Sequence, residues 1–512
     1  MRATGESTTM LPALLRTLRR YAAALTAVAS LAWPVTALAH TGLKRSSPAA
    51  GARLSQSPAA IRLWFHERVQ VAISRVRLVT PTGSLVLPVR ADSTDRTELV
   101  ASLTAPLGPG SYTVEWQTGG RDGHAVRGRF AFVVRGDSAR MAADTATPPA
   151  GGGSTTGAGA ARGGAFNVAL DSMMRETADH PAERLVARGG EPLTEYRVAR
   201  WAELVALLAA IGVVAFRAVV ARGLDRAGLG VVADDATDGA RQLGLAALVL
   251  LVVAGAARLY GEASALVDPD AGTALDSMRT VVMRTDWGHG WMVGIVAAVV
   301  TFLGLALARR VPAAWTLAAI GAAGLAVTPA LTGHAVATRD VTAVAVTSDV
   351  LHVVGAGTWL GTLLVVLLAG LPAALRRPGE ERGRAAAALL ASYHPVALVS
   401  VGLVLLSGLA SSWVRLRSFS ALTMTSYGSL LLYKVFIFLF VGLLGAYNWK
   451  KVMPRMTQPE GARRFRRSAA VELLVGGLVL ALTAVLVATE PPDMSERSDT
   501  ERANATPPLI TR

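Results

Sequence analysis

The chain has 512 residues, 52% of them hydrophobic and 17% charged, against about a quarter charged in ordinary soluble domains, which argues against a purely soluble fold and for a membrane protein. It contains no cysteine, which excludes disulfide frameworks, zinc-thiolate and iron–sulfur sites and thiol catalysis. The formal net charge of +15 does not read as nucleic-acid binding, because the arginines stand at the ends of apolar runs rather than among aromatics on a polar face.

Residues 1–39 read as a signal peptide. Arg16, Arg19 and Arg20 precede the apolar stretch from Tyr21 to Trp33, and Ala37-Leu38-Ala39 fits the small-residue cleavage pattern. Cleavage there leaves His40 as the first residue. From His40 to about residue 136 the pattern changes to short alternating runs broken by turn residues. Ile61–Phe65, Val71–Val79, Ser84–Val89, Glu98–Leu103, Tyr112–Trp116 and Arg129–Val134 are strand-like, with breaks at Pro58, Pro81, Pro109-Gly110 and Asp122-Gly123. Strands at this spacing predict a β-sandwich or Greek-key barrel of immunoglobulin type outside the cytoplasm. Residues 137–195 form a low-complexity linker, in which Thr145 to Ala165 is almost all Gly, Ala, Ser, Thr and Pro. Such a composition cannot bury enough apolar area to offset chain entropy. As a flexible tether it has an r.m.s. reach of roughly 40 Å.

Residues 196–489 read as an all-α bundle of eight transmembrane helices, with spans at about 202–220, 242–260, 290–309, 312–332, 347–370, 393–413, 428–449 and 469–489. Each approaches the ~20 residues that cross ~30 Å of hydrocarbon. With the sandwich outside, the loops assigned to the cytoplasm carry sixteen Lys and Arg and the outer loops with the 490–512 tail carry eight. The positive-inside rule and the signal peptide therefore agree. Gly357 and Gly361, four residues apart, predict a close helix approach.

The eight histidines are few enough for their placement to inform. A terminal His40 offers its amine and a ring nitrogen to one metal, a chelate that favours Cu(II) geometry. In Asp122-Gly123-His124, residues two apart on an extended or turn backbone point the same way, so carboxylate and imidazole converge on one ion. The same three residues also fit a hairpin turn. In the membrane half, His289, His334, Asp349 and His352 fall at the outer ends of spans three to five and form a candidate receiving site for a metal, the alternative being interfacial histidines and caps. Lys434, in span seven, is read as an ion-pair partner of Asp349 with a structural or gating role. His66 is a leftover candidate ligand or a sheet-surface histidine, and His394, at the cytoplasmic start of span six, is an exit ligand or a structural residue. Met173, Met174, Met278, Met283, Met292 and Met424 lack a repeated ligand spacing.

The stretch from His40 to Leu43 with Ser46 to Gly51, the strand Tyr112 to Trp116, and the run Asp122 to Phe132 resemble the periplasmic copper-binding CopC family over residues 40–134. The membrane half resembles the CopD family at Thr285 to Trp291, Gly333 to Ala335, Asp349 to Gly361, Leu406 to Gly408 and from Tyr433-Lys434 to Asn448. The whole resembles the bacterial CopC–CopD fusions. The resemblance implies a small β domain holding Cu(II) through His40, Asp122 and His124. It also implies a membrane domain associated with moving copper across the inner membrane, generally inward. Some relatives add a methionine-rich Cu(I) site; residues 62–134 contain no Met, so none is expected there. Copper is the implied cargo, Cu(II) at the N-terminal domain with Cu(I) the alternative state in the membrane. Expected partners are copper ions, the bilayer and periplasmic or cytoplasmic copper chaperones, with no nucleic acid and no enzymatic activity. The alternatives are an envelope copper buffer without translocation and a copper-reducing or haem-binding membrane oxidoreductase.

Overall fold

A computed structural model describes residues 43–65, 68–80, 82–119, 125–135, 194–266, 273–333, 342–416, 421–424, 426–452 and 461–487. The expected signal peptide, His40, His66, Asp122, His124, His334, nearly all of the linker and the 490–512 tail lie outside these residues.

The N-terminal part is two packed sheets. One has the order β1 (Leu43–Ser47), β3 (Ala60–Phe65), β7 (Glu98–Ser102), β6 (Val89–Ala91); the other has the order β2 (Arg53–Leu54), β9 (Ala125–Val134), β8 (Gly110–Gly119), β4 (Arg75–Thr80), β5 (Gly83–Leu87). Period-2 alternation turns one face of each strand inward. Leu63 and Leu99 from one sheet meet Val76, Leu78, Val114 and Phe132 from the other in a single buried core. The Tyr112 hydroxyl donates to the Gly108 carbonyl at 2.8 Å and ties the start of β8 to its loop.

Two expected strands depart from their sequence patterns: the Ser84–Val89 run breaks at Pro88 into β5 and β6, which lie in different sheets, and the Val71–Val79 run gives a shorter strand. Val71 to Ile73 form a single 3-10 turn, and β4 begins only at Arg75. The Ser74 hydroxyl donates to the Gln70 carbonyl at 2.8 Å and lies 2.7 Å from that of Thr118. This holds the turn, and Ile73 leaves the sandwich core for a different set of neighbours, described below.

The C-terminal part has eight helices long and apolar enough to cross a membrane: α1 (Glu195–Arg226), α2 (Gly230–Ser264), α4 (Asp286–Leu307), α5 (Ala314–Leu331), α6 (Thr342–Leu375), α7 (Gly379–Val414), α8 (Gly428–Lys451) and α9 (Arg463–Ala484). Between α2 and α4 lies α3 (Ala274–Arg284). The eight expected spans are all present, and several helices run further than hydropathy indicates. The first turns of α2 carry Asp235 and Asp238, which pair with Arg377 at 2.7 Å and Arg309 at 3.4 Å. Their charges hide a helix start that the ion pairs support. Apolar side chains such as Val296, Ile320, Leu406 and Phe436 remain exposed on the bundle, as contact with hydrocarbon requires. This is a multi-pass membrane protein.

Gly357 and Gly361 allow the close approach anticipated for them. A Cβ at Gly361 would collide with the Leu208 carbonyl oxygen of α1, and one at Gly357 would lie 2.7 Å from Ile211. Gly361→Val is expected to cost about 3 kcal/mol or more, read as loss of monodisperse protein after detergent extraction. Gly442→Val, where a Cβ meets open space, should extract normally.

Candidate functional site

The ends of the described strands frame the predicted N-terminal metal site. Leu43 pairs with Phe65, whose ring lies edge-on to Trp116 with centroids 5.1 Å apart. Trp116 pairs with Gly128, and the same ladder closes at Gly119 opposite Ala125. A Cβ at Gly128 would collide with the Trp116 ring, which accounts for the glycine in this strand. The start of β1 and the β8–β9 connection therefore share one end of the sandwich. His40 precedes Leu43 by three residues, a reach of about 10 Å at most, and Asp122 and His124 fall between Gly119 and Ala125.

That end of the sandwich is seated on the helices. The Gln70 backbone N–H donates to the Gly119 carbonyl at 3.2 Å, and the Gln70 side-chain oxygen accepts from the Asp286 N–H at 3.1 Å. Ile73, 5% exposed, is buried with Leu259 and Ala263 of α2, Val281 of α3 and Trp287 of α4. The amphipathic helix α3, missed by the hydropathy reading, supplies part of this seat. Its start is legible as a Thr-x-x-Asp capping box, Thr273 with Asp276. The Thr273 hydroxyl and N–H donate to Asp276 and hold its carboxyl below the usual carboxylate range.

Beside the seat lies a buried charge cluster that sequence reasoning also missed. Arg258 is 2% exposed. Its guanidinium donates to Glu203 at 3.2 Å and to the Tyr196 hydroxyl at 3.3 Å, and sits 5.0 Å from the Trp287 ring centroid. Arg200 donates to the same Glu203 oxygen at 3.0 Å, and the Tyr196 hydroxyl donates to Glu262 at 2.6 Å. The sequence signal was there: charged residues within otherwise apolar helices are costly and are kept for a reason.

Of the predicted membrane residues, His289, Asp349, His352 and Lys434 are described, on three helices. His289 lies exposed on the first turn of α4, three residues after Asp286. Asp349 and His352 lie about one turn apart on α6 and meet α7: Ser411 donates to Asp349 at 2.9 Å, and His352 Nδ1 is 3.2 Å from the Ser407 hydroxyl. A Cβ at Gly408 would lie 3.3 Å from the His352 ring, so this ring has a close-fitting wall. Lys434 is half-buried on α8. His394 stacks on Trp449 at 5.1 Å, in keeping with a structural role. Among the described residues no group of three His, Asp or Glu side chains gathers as a metal site.

Deeper in the bundle is a carboxyl the sequence reading did not single out. Glu472 of α9, 4% exposed, accepts from Trp359 Nε1 of α6 at 3.2 Å and from Asn448 Nδ2 of α8 at 3.3 Å.

Three family models match the chain: the CopC domain over residues 43–135, the Copper resistance protein D-like N-terminal domain over 194–344, and Copper resistance protein D over 387–486. A protein named copper transport protein CutJ, from Bacillus subtilis, is 26% identical over 90% of this chain and 76% of its own length. Protein YobA of Escherichia coli is 35% identical over 23% of this chain and 94% of its own. The crystal structure of CopC from Methylosinus trichosporium is 27% identical, covering 19% of this chain and 95% of that one, with a TM-score of 0.18.

Proposed function

The chain belongs to the CopC and CopD copper-resistance families, joined in one polypeptide, and from that premise we propose that it captures copper outside the inner membrane and passes it inward. In this reading a signal peptide, 1–39, is removed. The new terminal His40 binds Cu(II) with Asp122 and His124, and the ion is handed to a receiving site drawn from His289, His334, Asp349 and His352. Lys434 gates that site through Asp349. The linker allows the domain to leave and return, and chaperones on either side are its expected partners.

The observation that carries the reading is the seating of the sandwich through Gln70 and Ile73. The turn Gln70–Ile73, which hydrogen-bonds to the end of β8 at Gly119, rests against α3 and the start of α4, where His289 stands. Orientation is supported by the basic loops, which lie at the bundle end opposite the sandwich. A singly charged ion moving toward a negative interior gains about 2.3 kcal/mol per 100 mV, so inward movement is electrically favoured.

Two variants test the handover. Ile73→Asp places a charge in the apolar seat and is expected to lower cytosolic copper accumulation severalfold while leaving Cu(II) affinity unchanged. His352→Ala is expected to lower accumulation too. An envelope buffer without translocation is the second reading. If both variants leave cytosolic copper at the wild-type level, the buffer reading replaces the transporter.

A further inference from the structure

Both donors to Glu472 stand where a helix widens to π geometry. Trp359 lies within Gly357–Gly361 of α6, and Asn448 opens the stretch Asn448–Val452 at the end of α8. Such one-turn widenings inside α-helices concentrate at functional sites. Two of them converging on one buried carboxyl is a built arrangement rather than a stray charge.

Polar pairs are spaced along the way from this carboxyl to the sandwich end of the bundle. Along the seam of α6 and α7 come Asp349 with Ser411, His352 with Ser407, and then Thr358 with Ser400 at 2.7 Å. Tyr393 donates to the Trp359 carbonyl at 3.2 Å, one residue beyond Thr358. From Asp349 to Trp359 the helical rise is about 15 Å, half of a ~30 Å hydrocarbon core. On the other side of Glu472, Asn448 accepts from Ser468, toward the basic end.

The donor chemistry at Glu472 selects the ligand. Carboxylate, amide and hydroxyl oxygens suit protons and hard cations, whereas a cuprous ion prefers thioether, thiolate or imidazole. Ionisable groups inside a bundle mark ion pathways and proton relays. We infer that Glu472, held by Trp359 and Asn448, is a proton-binding site at the inner end of the α6–α7 polar seam that exchanges its proton against copper. Copper held as Cu(II) outside first gains one electron from an external reductant such as ascorbate. One proton then leaves the carboxyl toward the outer side as the resulting Cu(I) ion enters the seam, and a proton returns from the inner side when the ion departs inward. The exchange moves no net charge, so the membrane potential that favours an unaccompanied cation does not drive it and the pH gradient does.

The titratable group that faces Glu472 from another helix is Tyr393, whose hydroxyl is committed to Trp359. Asp349 and His352 of α6 and the paired Arg200 and Glu203 of α1 lie toward the sandwich end. Lys450 and Lys451 of α8 and Arg464 and Arg467 of α9 lie toward the opposite end, and His394 of α7 is stacked on Trp449.

The exchange rests on the proposed copper transport, but the proton site is testable apart from it. The full chain in lipid vesicles is treated with a hydrophobic carbodiimide, which attacks protonated carboxyls in apolar surroundings, and the adduct is mapped by mass spectrometry. The expected result is an adduct at Glu472 that falls severalfold when cupric chloride with ascorbate is supplied. No adduct at Glu472 at any pH, or an adduct indifferent to copper, overturns the inference even if copper is transported. In the same vesicles, copper uptake should release protons and respond to an imposed pH gradient. Both effects should disappear in Glu472→Gln and persist in Glu472→Asp; unchanged coupling in Glu472→Gln also overturns it. Vesicles that move no copper contradict the transport reading, while the pH dependence of the adduct still decides the proton site.

Discussion

Adding one glycine ahead of His40 in the mature chain is expected to weaken Cu(II) binding by more than about 100-fold, since losing even an outer-shell partner of a metal site costs about 10–100-fold. The insertion keeps every side chain and removes only the chelate between the terminal amine and its own ring. His40→Ala removes the ring instead and should weaken binding to a similar degree, and Asp122→Ala and His124→Ala should follow. The amine titrates near ~7.7–8.0 and the imidazole near ~6.5 when free. Both must be unprotonated to bind, so affinity should fall as pH drops through this range. Competition titration of the full chain against a copper chelator measures each effect. Tight binding by the glycine-extended chain would mean that the metal is held elsewhere.

The second large effect concerns the charge cluster beside the docking seat. Arg258→Ala leaves Glu203 with Arg200 alone and Glu262 with only the Tyr196 hydroxyl, and breaking a buried pair from one side costs up to about 3–5 kcal/mol. The loss should appear as a lower unfolding temperature of the purified protein in detergent. Arg377→Ala is the contrast. Its ion pair with Asp235 is partly exposed, and exposed pairs contribute about 0–1 kcal/mol. Because Trp287 touches both the Arg258 guanidinium and the Ile73 seat, Arg258→Ala should also loosen the sandwich. Accessibility of the Gln70 region to limited proteolysis reads that out. Equal stability of the two variants would show that the cluster is solvated and does not support the seat.

The architecture was largely legible because membranes and sandwiches impose strict periods. Apolar runs near twenty residues gave the eight spans, and alternation gave the strands of the core. Where charge sits inside a helix, hydropathy misplaced the boundary, as in the Asp235- and Asp238-bearing start of α2. Helix α3 escaped because its apolar residues form a stripe rather than a run, although its capping box was readable. The Val71–Val79 pattern failed differently. Ile73 is apolar because it packs against helices two hundred residues away in sequence, and no local period encodes a contact of that kind.

The candidate site was legible where chemistry needs particular residue types. His40, Asp122 and His124 stand out by spacing and resemblance, and the described strands bring their flanks to one end. Asp349 and His352 were found because ionisable groups in apolar helices are conspicuous. Glu472 is equally conspicuous in the run Ala470-Val471-Glu472-Leu473-Leu474, but a lone carboxyl with no ligand spacing around it does not by itself point to a site. Its partners Trp359 and Asn448 come from two other helices, so their convergence is a tertiary fact. The same holds for Arg258, whose neighbours are drawn from α1, α4 and the end of α5.

The most direct test is accumulation of radioactive copper, supplied outside with ascorbate, in proteoliposomes holding the full, signal-cleaved chain with its sandwich outward and the lumen acidic and electrically negative. The account predicts time-dependent uptake well above that of empty vesicles, reduced severalfold or more by His40→Ala and by Ile73→Asp. Uptake equal to that of empty vesicles, or net movement of copper outward, would contradict it.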